Sequence, residues 1–131
     1  MRLLLDTQIA VWAAMDDRRL GDQARAAIEK HSHMPAISVA TLWEIAIKFA
    51  LGTRRRDPMP FSGTDAKAAF ESAGYLILPV TAAHAAAIDG LPPLHGDPFD
   101  RMLVAQAKVE GMTLLTRDER LGEYGAFVMV V

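Results

Sequence analysis

Four acidic side chains stand out by position: Asp6, Glu44, Asp100 and Asp118. Taken singly, each has an ordinary explanation. Asp6 follows the apolar run Leu3-Leu4-Leu5 and could cap the next helix, with Thr7 sharing that work. In Asp97-Pro98-Phe99-Asp100-Arg101, Asp97 suits a helix N-cap and Pro98 the first helical position, which reads Asp97 as structural. Helical geometry then aligns Asp100 with Leu103, Val104 and Ala107, so the acid leads an apolar stripe that should pack on a sheet. Asp118 closes Leu114-Leu115-Thr116-Arg117-Asp118, where Thr116 and Glu119 have the spacing of a capping box and leave Asp118 free of that duty. Glu44 stands four residues before Lys48. An exposed pair of that kind contributes only ~0.2–0.5 kcal/mol. The helix around it is apolar over most of its circumference, which predicts burial and a carboxylate in need of a cation or hydrogen bonds. Lys48 could meet that need, so spacing alone leaves the role of Glu44 open.

The chemistry follows from the acids as a group. Clustered carboxylates repel one another, and divalent cations make the arrangement favourable near neutral pH. The chain has no cysteine, which excludes disulfides, thiolate chemistry and sulfur-ligated zinc. Oxygen donors favour Mg²⁺ or Mn²⁺, and a water retained by magnesium could attack a phosphodiester. The histidines His31, His33, His84 and His95 show no ligand spacing within a helix. His31 and His33 fall at an expected helix C-terminus, where a dipole role suffices. His95, two residues before Asp97, is near enough to approach the acids, but the sequence favours reading it outside the cluster. Arg101 either contacts phosphate or pairs with Asp97, and Trp12 and Trp43 are expected to pack in the core.

Something must position these groups. At 131 residues, 51% hydrophobic and 23% charged, the chain reads as one globular domain, 1–131. No apolar run approaches the ~20 residues that span a bilayer. Asp6 comes too early for a signal-peptide core, and the lack of cysteine fits the cytoplasm. The net charge of −2 gives no global pull on nucleic acid. The one basic stretch, Lys48 with Arg54, Arg55 and Arg56, is either a solvated loop or a phosphate patch. Periodicity and stop signals predict strands at 3–5, 35–38, 75–78, 112–115 and 127–131. They predict helices at 7–14, 21–31, 38–51, 65–73, 81–89, 98–110 and 117–121, with an exposed loop at 52–64. Such alternation is an open α/β fold: a central, mainly parallel sheet flanked by helices in three layers. Ligands bind such sheets outside the carboxyl ends of the strands.

Read together, Leu4-Leu5-Asp6-Thr7, the run from Ser38 through Trp43-Glu44 to Lys48, Asp97-Pro98-Phe99-Asp100-Arg101 with Ala105-Gln106-Ala107, and Leu115-Thr116-Arg117-Asp118 resemble a PIN domain. Within that family the likeness is specifically to VapC-type toxins of type II toxin–antitoxin pairs. The resemblance covers nearly the whole chain and implies a metal-dependent endoribonuclease. Carried over by position, Asp6, Glu44, Asp100 and Asp118 would form the Mg²⁺/Mn²⁺ quartet. Thr7, Thr116, Arg101 and Asp97 would support the ligands or touch substrate. The resemblance also implies an RNA substrate, a homodimer, and a cognate antitoxin lying over the site. An antitoxin arginine could use the carboxylates, or an acidic tail the Arg54–56 loop. Gln8 departs from the histidine that close relatives often carry after Asp-Thr, which bears on substrate contacts rather than metal. Two other readings compete. A catalytically silent binding module would keep the fold but lose the acids. An aspartate-based phosphatase or phospho-receiver expects a second aspartate at position 8, or a lysine after a late strand, and neither is present.

Overall fold

The computed structural model describes residues 2–30 and 34–131, so the readings of His31 and His33 lie outside the described residues. Its strands are β1 (Leu3–Leu5), β2 (Ala36–Ser38), β3 (Leu76–Leu78), β4 (Thr113–Thr116) and β5 (Val128–Val130). They form one sheet in the order β3-β2-β1-β4-β5, with every pairing parallel. Side chains alternate across it as strand geometry requires. Leu3, Leu5, Ile37 and Leu115 enter one apolar cluster; Leu4, Ala36 and Leu114 enter the other.

Helices α1 (Thr7–Met15), α2 (Gly21–Lys30), α3 (Val39–Leu51) and α4 (Gly63–Ser72) cover the first face, through residues such as Ile9, Ala24, Ile45 and Phe70. On the second face α6 (Pro98–Glu110) inserts Leu103, Val104 and Ala107, the stripe behind Asp100. The helix α5 (Ala82–Ala87) packs on α6. Buried His84 ties the two together: its Nδ1 accepts the Thr81 amide at 3.0 Å, and its Nε2 lies 2.9 Å from Glu110. The result is the expected three-layer α/β architecture.

Boundaries shift where a local partner intervenes. Ser62 accepts from the Asp65 amide, so α4 begins earlier than Asp65. Met112 donates to the Ala107 carbonyl, completing the left-handed Gly111 terminus of α6, and β4 therefore starts one residue late. The expected helix at 117–121 is instead a 3₁₀ turn over Glu119–Tyr124. At Gly63 a Cβ would meet the Ala46 Cβ at 2.9 Å, so glycine lets α4 approach α3 closely.

One expectation about α3 is reversed. Its apolar circumference predicts a helix buried over most of its surface, with Trp43 in the core. Trp43 is 62% exposed, and Val39, Ile47, Phe49 and Leu51 are exposed too. The buried side of α3 is instead Ala40, Thr41, Glu44 and Ile45. Glu44 is buried, but because the polar strip faces inward, not because the apolar faces are covered. Trp12 is partly buried against the core, as expected.

The strand order places a switch point between β1 and β4. From β1 the chain runs outward to β2 and β3, whereas β4 and β5 lie on the other side. A crevice opens at the carboxyl ends where the two directions part. Asp6 follows β1, and Thr116 ends β4.

Candidate active site

Asp6 is 6% exposed and serves two elements at once. Its Oδ1 accepts the Ile9 amide at 2.8 Å as N-cap of α1, and its Oδ2 accepts the Thr116 hydroxyl. The capping role and the site role are therefore compatible, since one oxygen faces each way. Burial pushes its carboxyl up to about 6, against the lowering hydrogen bonds from Thr116 and Ile9; the charges of Glu44 and Asp118 add to the rise.

Glu44, 4% exposed, reaches the same crevice from α3. The Thr7 hydroxyl donates to it at 2.6 Å and Lys48 pairs with its other oxygen. Thr7 Oγ1 also lies 3.1 Å from Thr41 Oγ1. Thr7 thus supports Glu44 and leaves the capping of α1 to Asp6.

Asp97 caps α6, accepting the amides of Phe99 at 2.8 Å and Asp100 at 3.3 Å, as its structural reading requires. Asp100 sits one turn in, and its carboxylate receives no hydrogen bond among the described residues. Burial raises its carboxyl to about 7, helped by the charges of Asp97, Asp6 and Glu44 and opposed by His95.

Asp118 joins the group, but not as expected. No capping box forms between Thr116 and Glu119. The Thr116 oxygen accepts the Asp118 amide at 3.0 Å while its hydrogen goes to Asp6. Asp118 itself caps the 3₁₀ turn, accepting the Arg120 amide at 2.9 Å. Its other oxygen lies 2.8 Å from His95 Nε2.

His95 is the residue the sequence reading left out. Its side chain is 10% exposed, and Nε2 is also 3.6 Å from Asp100. The signal was the spacing to Asp97, whose amide donates to His95 Nδ1 at 3.1 Å and turns the ring toward the acids. Arg101 goes the other way. It neither pairs with Asp97 nor enters the acid crevice; its Nη2 donates to the Leu91 carbonyl at 3.2 Å. It lines an apolar groove of about 520 Å³ with Trp43 and Phe99.

A cleft of about 360 Å³ therefore holds Asp6, Glu44, Asp100 and Asp118 together, with Asp97 beside them. Lys48, Arg55 and Arg117 line it as well. Of the basic stretch, Lys48 and Arg55 line this wall, and Arg54 and Arg56 do not. Arg117 donates to the Arg19 carbonyl, and Arg19 and Arg117 lie 5.5 and 5.6 Å from the Trp12 ring centre.

The cleft lining is chemically suited to a hard divalent cation, with four carboxylates from different elements and no sulfur; of the acids, Asp100 and Asp118, with His95, have side-chain donor atoms within 4.8 Å of one another. Two of the acids hold protons unusually well, first because they are buried and then because other carboxylates stand near them; a bound cation would oppose both effects.

Comparison with known proteins agrees with this architecture. The chain is 33% identical over 119 residues to Ribonuclease VapC22 of Mycobacterium tuberculosis, an alignment spanning 91% of this chain and 88% of that protein. Its fold is similar to VapBC2 from Rickettsia felis bound to a DNA fragment from their promoter (TM-score 0.67, 16% identity, 100% of this chain and 98% of that one). It is likewise similar to a toxin–antitoxin complex from Klebsiella pneumoniae (TM-score 0.67, 19% identity, 98% and 96%). FitAcB from Neisseria gonorrhoeae is a further structural neighbour (TM-score 0.63, 21% identity, 98% and 95%). The PIN domain family profile matches residues 3–126. With nearly its whole length matched and its acids gathered at the sheet's switch point, the chain belongs to the PIN domain family.

Proposed function

We propose that this chain is a divalent-metal-dependent endoribonuclease and the toxin of a toxin–antitoxin pair. The observation that carries the reading is the shared cleft of Asp6 and Asp100, whose carboxyls are both held well above the ordinary range by burial and by neighbouring acids. The relative named as a ribonuclease, and neighbours that are toxin–antitoxin complexes, support it.

In this reading Asp6 and Asp100 hold the cation, and Asp118 and Glu44 complete the quartet. Mg²⁺ or Mn²⁺ bound there would supply Lewis-acid polarisation and charge neutralisation for phosphodiester hydrolysis. The chain's own residues prepare that site. Ile9 and Thr116 fix the Asp6 carboxylate, and Thr7 and Lys48 fix Glu44. Among the described residues no hydrogen-bond donor is directed at the Asp100 carboxylate, and His95 Nε2 stays 3.6 Å away. Lys48, Arg55 and Arg117 bring positive charge to a protein of net charge −2, along the wall an RNA backbone would follow. Thr7 and Thr116 serve as supports, Asp97 as the cap that aims Asp100, and Arg101 has no part in the site.

An antitoxin segment covering the cleft, a homodimer, a single-domain chain and a cytoplasmic setting belong to the same reading. No helix among the described residues is long and apolar enough to cross a membrane.

The test is cleavage of single-stranded RNA oligonucleotides by purified protein with Mg²⁺ or Mn²⁺, stopped by a chelator. Asp100→Asn should abolish cleavage while the protein stays folded. Equal cleavage by that variant, free of contaminating nuclease, would sink the mechanism. Calorimetry that finds no binding at millimolar Mg²⁺ or Mn²⁺ would favour a silent binding module.

A further inference from the structure

His95 joins two of the acids' supports, and its hydrogen-bond pattern restricts what it can do. A backbone amide is an unambiguous donor, so the Asp97 N–H directed at His95 Nδ1 makes that nitrogen an acceptor. The ring hydrogen then lies on Nε2, which donates to Asp118 Oδ2 at 2.8 Å. A metal-bound histidine has the opposite pattern: one nitrogen takes the metal and the other donates its N–H to an acceptor. Binding a cation through Nε2 would push the ring hydrogen onto Nδ1, where it would face the Asp97 N–H. His95, Asp100 and Asp118 do lie close enough to hold one ion between them. The fixed tautomer nevertheless argues against nitrogen as a ligand.

We infer that His95 is a positioning residue for the metal centre: it orients the Asp118 carboxylate through Nε2–H and leaves coordination to oxygen. The inference rests on the metal-dependent reading of the cleft. It explains why a nearly buried imidazole stands among carboxylates with its Nδ1 committed to a backbone amide. The ring spans from Asp97, which caps the helix carrying Asp100, to Asp118 beyond β4. The two acids are thereby held in register although they come from different elements. With Arg120 N–H on Oδ1 and His95 on Oδ2, both Asp118 oxygens are oriented and each keeps a lone pair for a cation.

Two variants separate the halves of this role. His95→Gln keeps a donor near the Nε2 position, whereas His95→Asn keeps an acceptor near Nδ1 but falls short of Asp118. Mn²⁺ affinity is measured by calorimetry on the whole protein, with thermal melts of the metal-free forms as the check on folding. Expected is Mn²⁺ binding weakened about tenfold or more by His95→Asn and largely restored in His95→Gln. Pulsed electron paramagnetic resonance of the unaltered Mn²⁺ protein should lack the modulation of a directly bonded nitrogen. That modulation, equal affinity in all three proteins, or equal loss in both variants would overturn the inference. Failure of the unaltered protein to bind Mn²⁺ would overturn the proposed function itself, a distinct outcome.

Discussion

Thr116 donates its hydroxyl hydrogen to Oδ2 of Asp6, although 110 residues separate them. The register of the sheet makes this possible: Leu5 pairs with Leu115, so the residues that follow meet at the same edge. The Asp118 amide donates to the same threonine oxygen, so one buried hydroxyl links two acids. Removing it leaves a buried carboxylate without one of its donors and a backbone amide without its acceptor.

Thr116→Val keeps the shape and deletes the hydroxyl. The expected cost is about 1–3 kcal/mol in urea unfolding, since buried polar groups lose their partners. Metal affinity should fall as well, by about 10–100-fold, because a support of a ligand is gone. A variant as stable as the parent, with unchanged Mn²⁺ titration, would show the hydroxyl to be incidental.

The raised carboxyls set an unusual pH dependence. Asp6 is held at about 6 and Asp100 at about 7, both above the ordinary value of 3.8 for an unfolded aspartate. The folded state therefore binds these protons more tightly than the unfolded one, and the destabilisation is fully present only above the folded values. As pH falls through 7 and 6 toward 4, that penalty is relieved. For Asp6 alone it is on the order of 3 kcal/mol. Metal-free protein should gain stability as pH is lowered from about 8 to about 5, whereas Mn²⁺ affinity should decline over the same range. Denaturant midpoints at several pH values, with and without Mn²⁺, check both limbs. A midpoint that only drops with acidification would contradict the assigned burial.

Asp100→Asn removes one of the repelling charges at a carboxylate that receives no hydrogen bond among the described residues. The metal-free variant should be more stable than the parent at pH 8, by a thermal midpoint several degrees higher. Millimolar Mn²⁺ should raise the parent's midpoint and leave the variant's unmoved, since stabilisation follows occupancy of the native site. Equal shifts in both proteins would place the ion elsewhere.

Legibility in the sequence tracked how local each cause was. Asp100 could be read because its position depends on helix periodicity, and Leu103, Val104 and Ala107 are buried as that stripe requires. The parallel sheet was equally legible from short apolar strands alternating with amphipathic helices. Asp118 lines the cleft, but not by the route its spacing suggests: Thr116 and Glu119 match a capping box, whereas tertiary contact with Asp6 takes the threonine hydroxyl. His95 escapes a local reading because its decisive partner is 23 residues away, beyond α6 and β4. Trp43 misled because composition reports how apolar a helix is, not which side meets the sheet. In α3 the strip of Thr41 and Glu44 faces inward beside Ile45, and Val39, Trp43, Ile47, Phe49 and Leu51 face solvent.

That inward strip separates the two readings of Glu44 that spacing left open. If its burial is sustained chiefly by Lys48, then Lys48→Met strands a carboxylate that is 4% exposed, with only Thr7 to satisfy it. The lysine is itself partly exposed, so water moderates the cost to about 1–3 kcal/mol. Pairing the change with Glu44→Gln should recover most of that loss, because the uncompensated charge disappears. Metal changes the outcome in a way a purely structural pair cannot. If Glu44 belongs to the quartet, saturating Mn²⁺ should rescue Lys48→Met by supplying the missing positive charge, and should do little for the double variant. A thermodynamic cycle measured with and without Mn²⁺ reads this directly. Rescue absent in Lys48→Met would assign Glu44 to the fold and leave the cation to Asp6, Asp100 and Asp118.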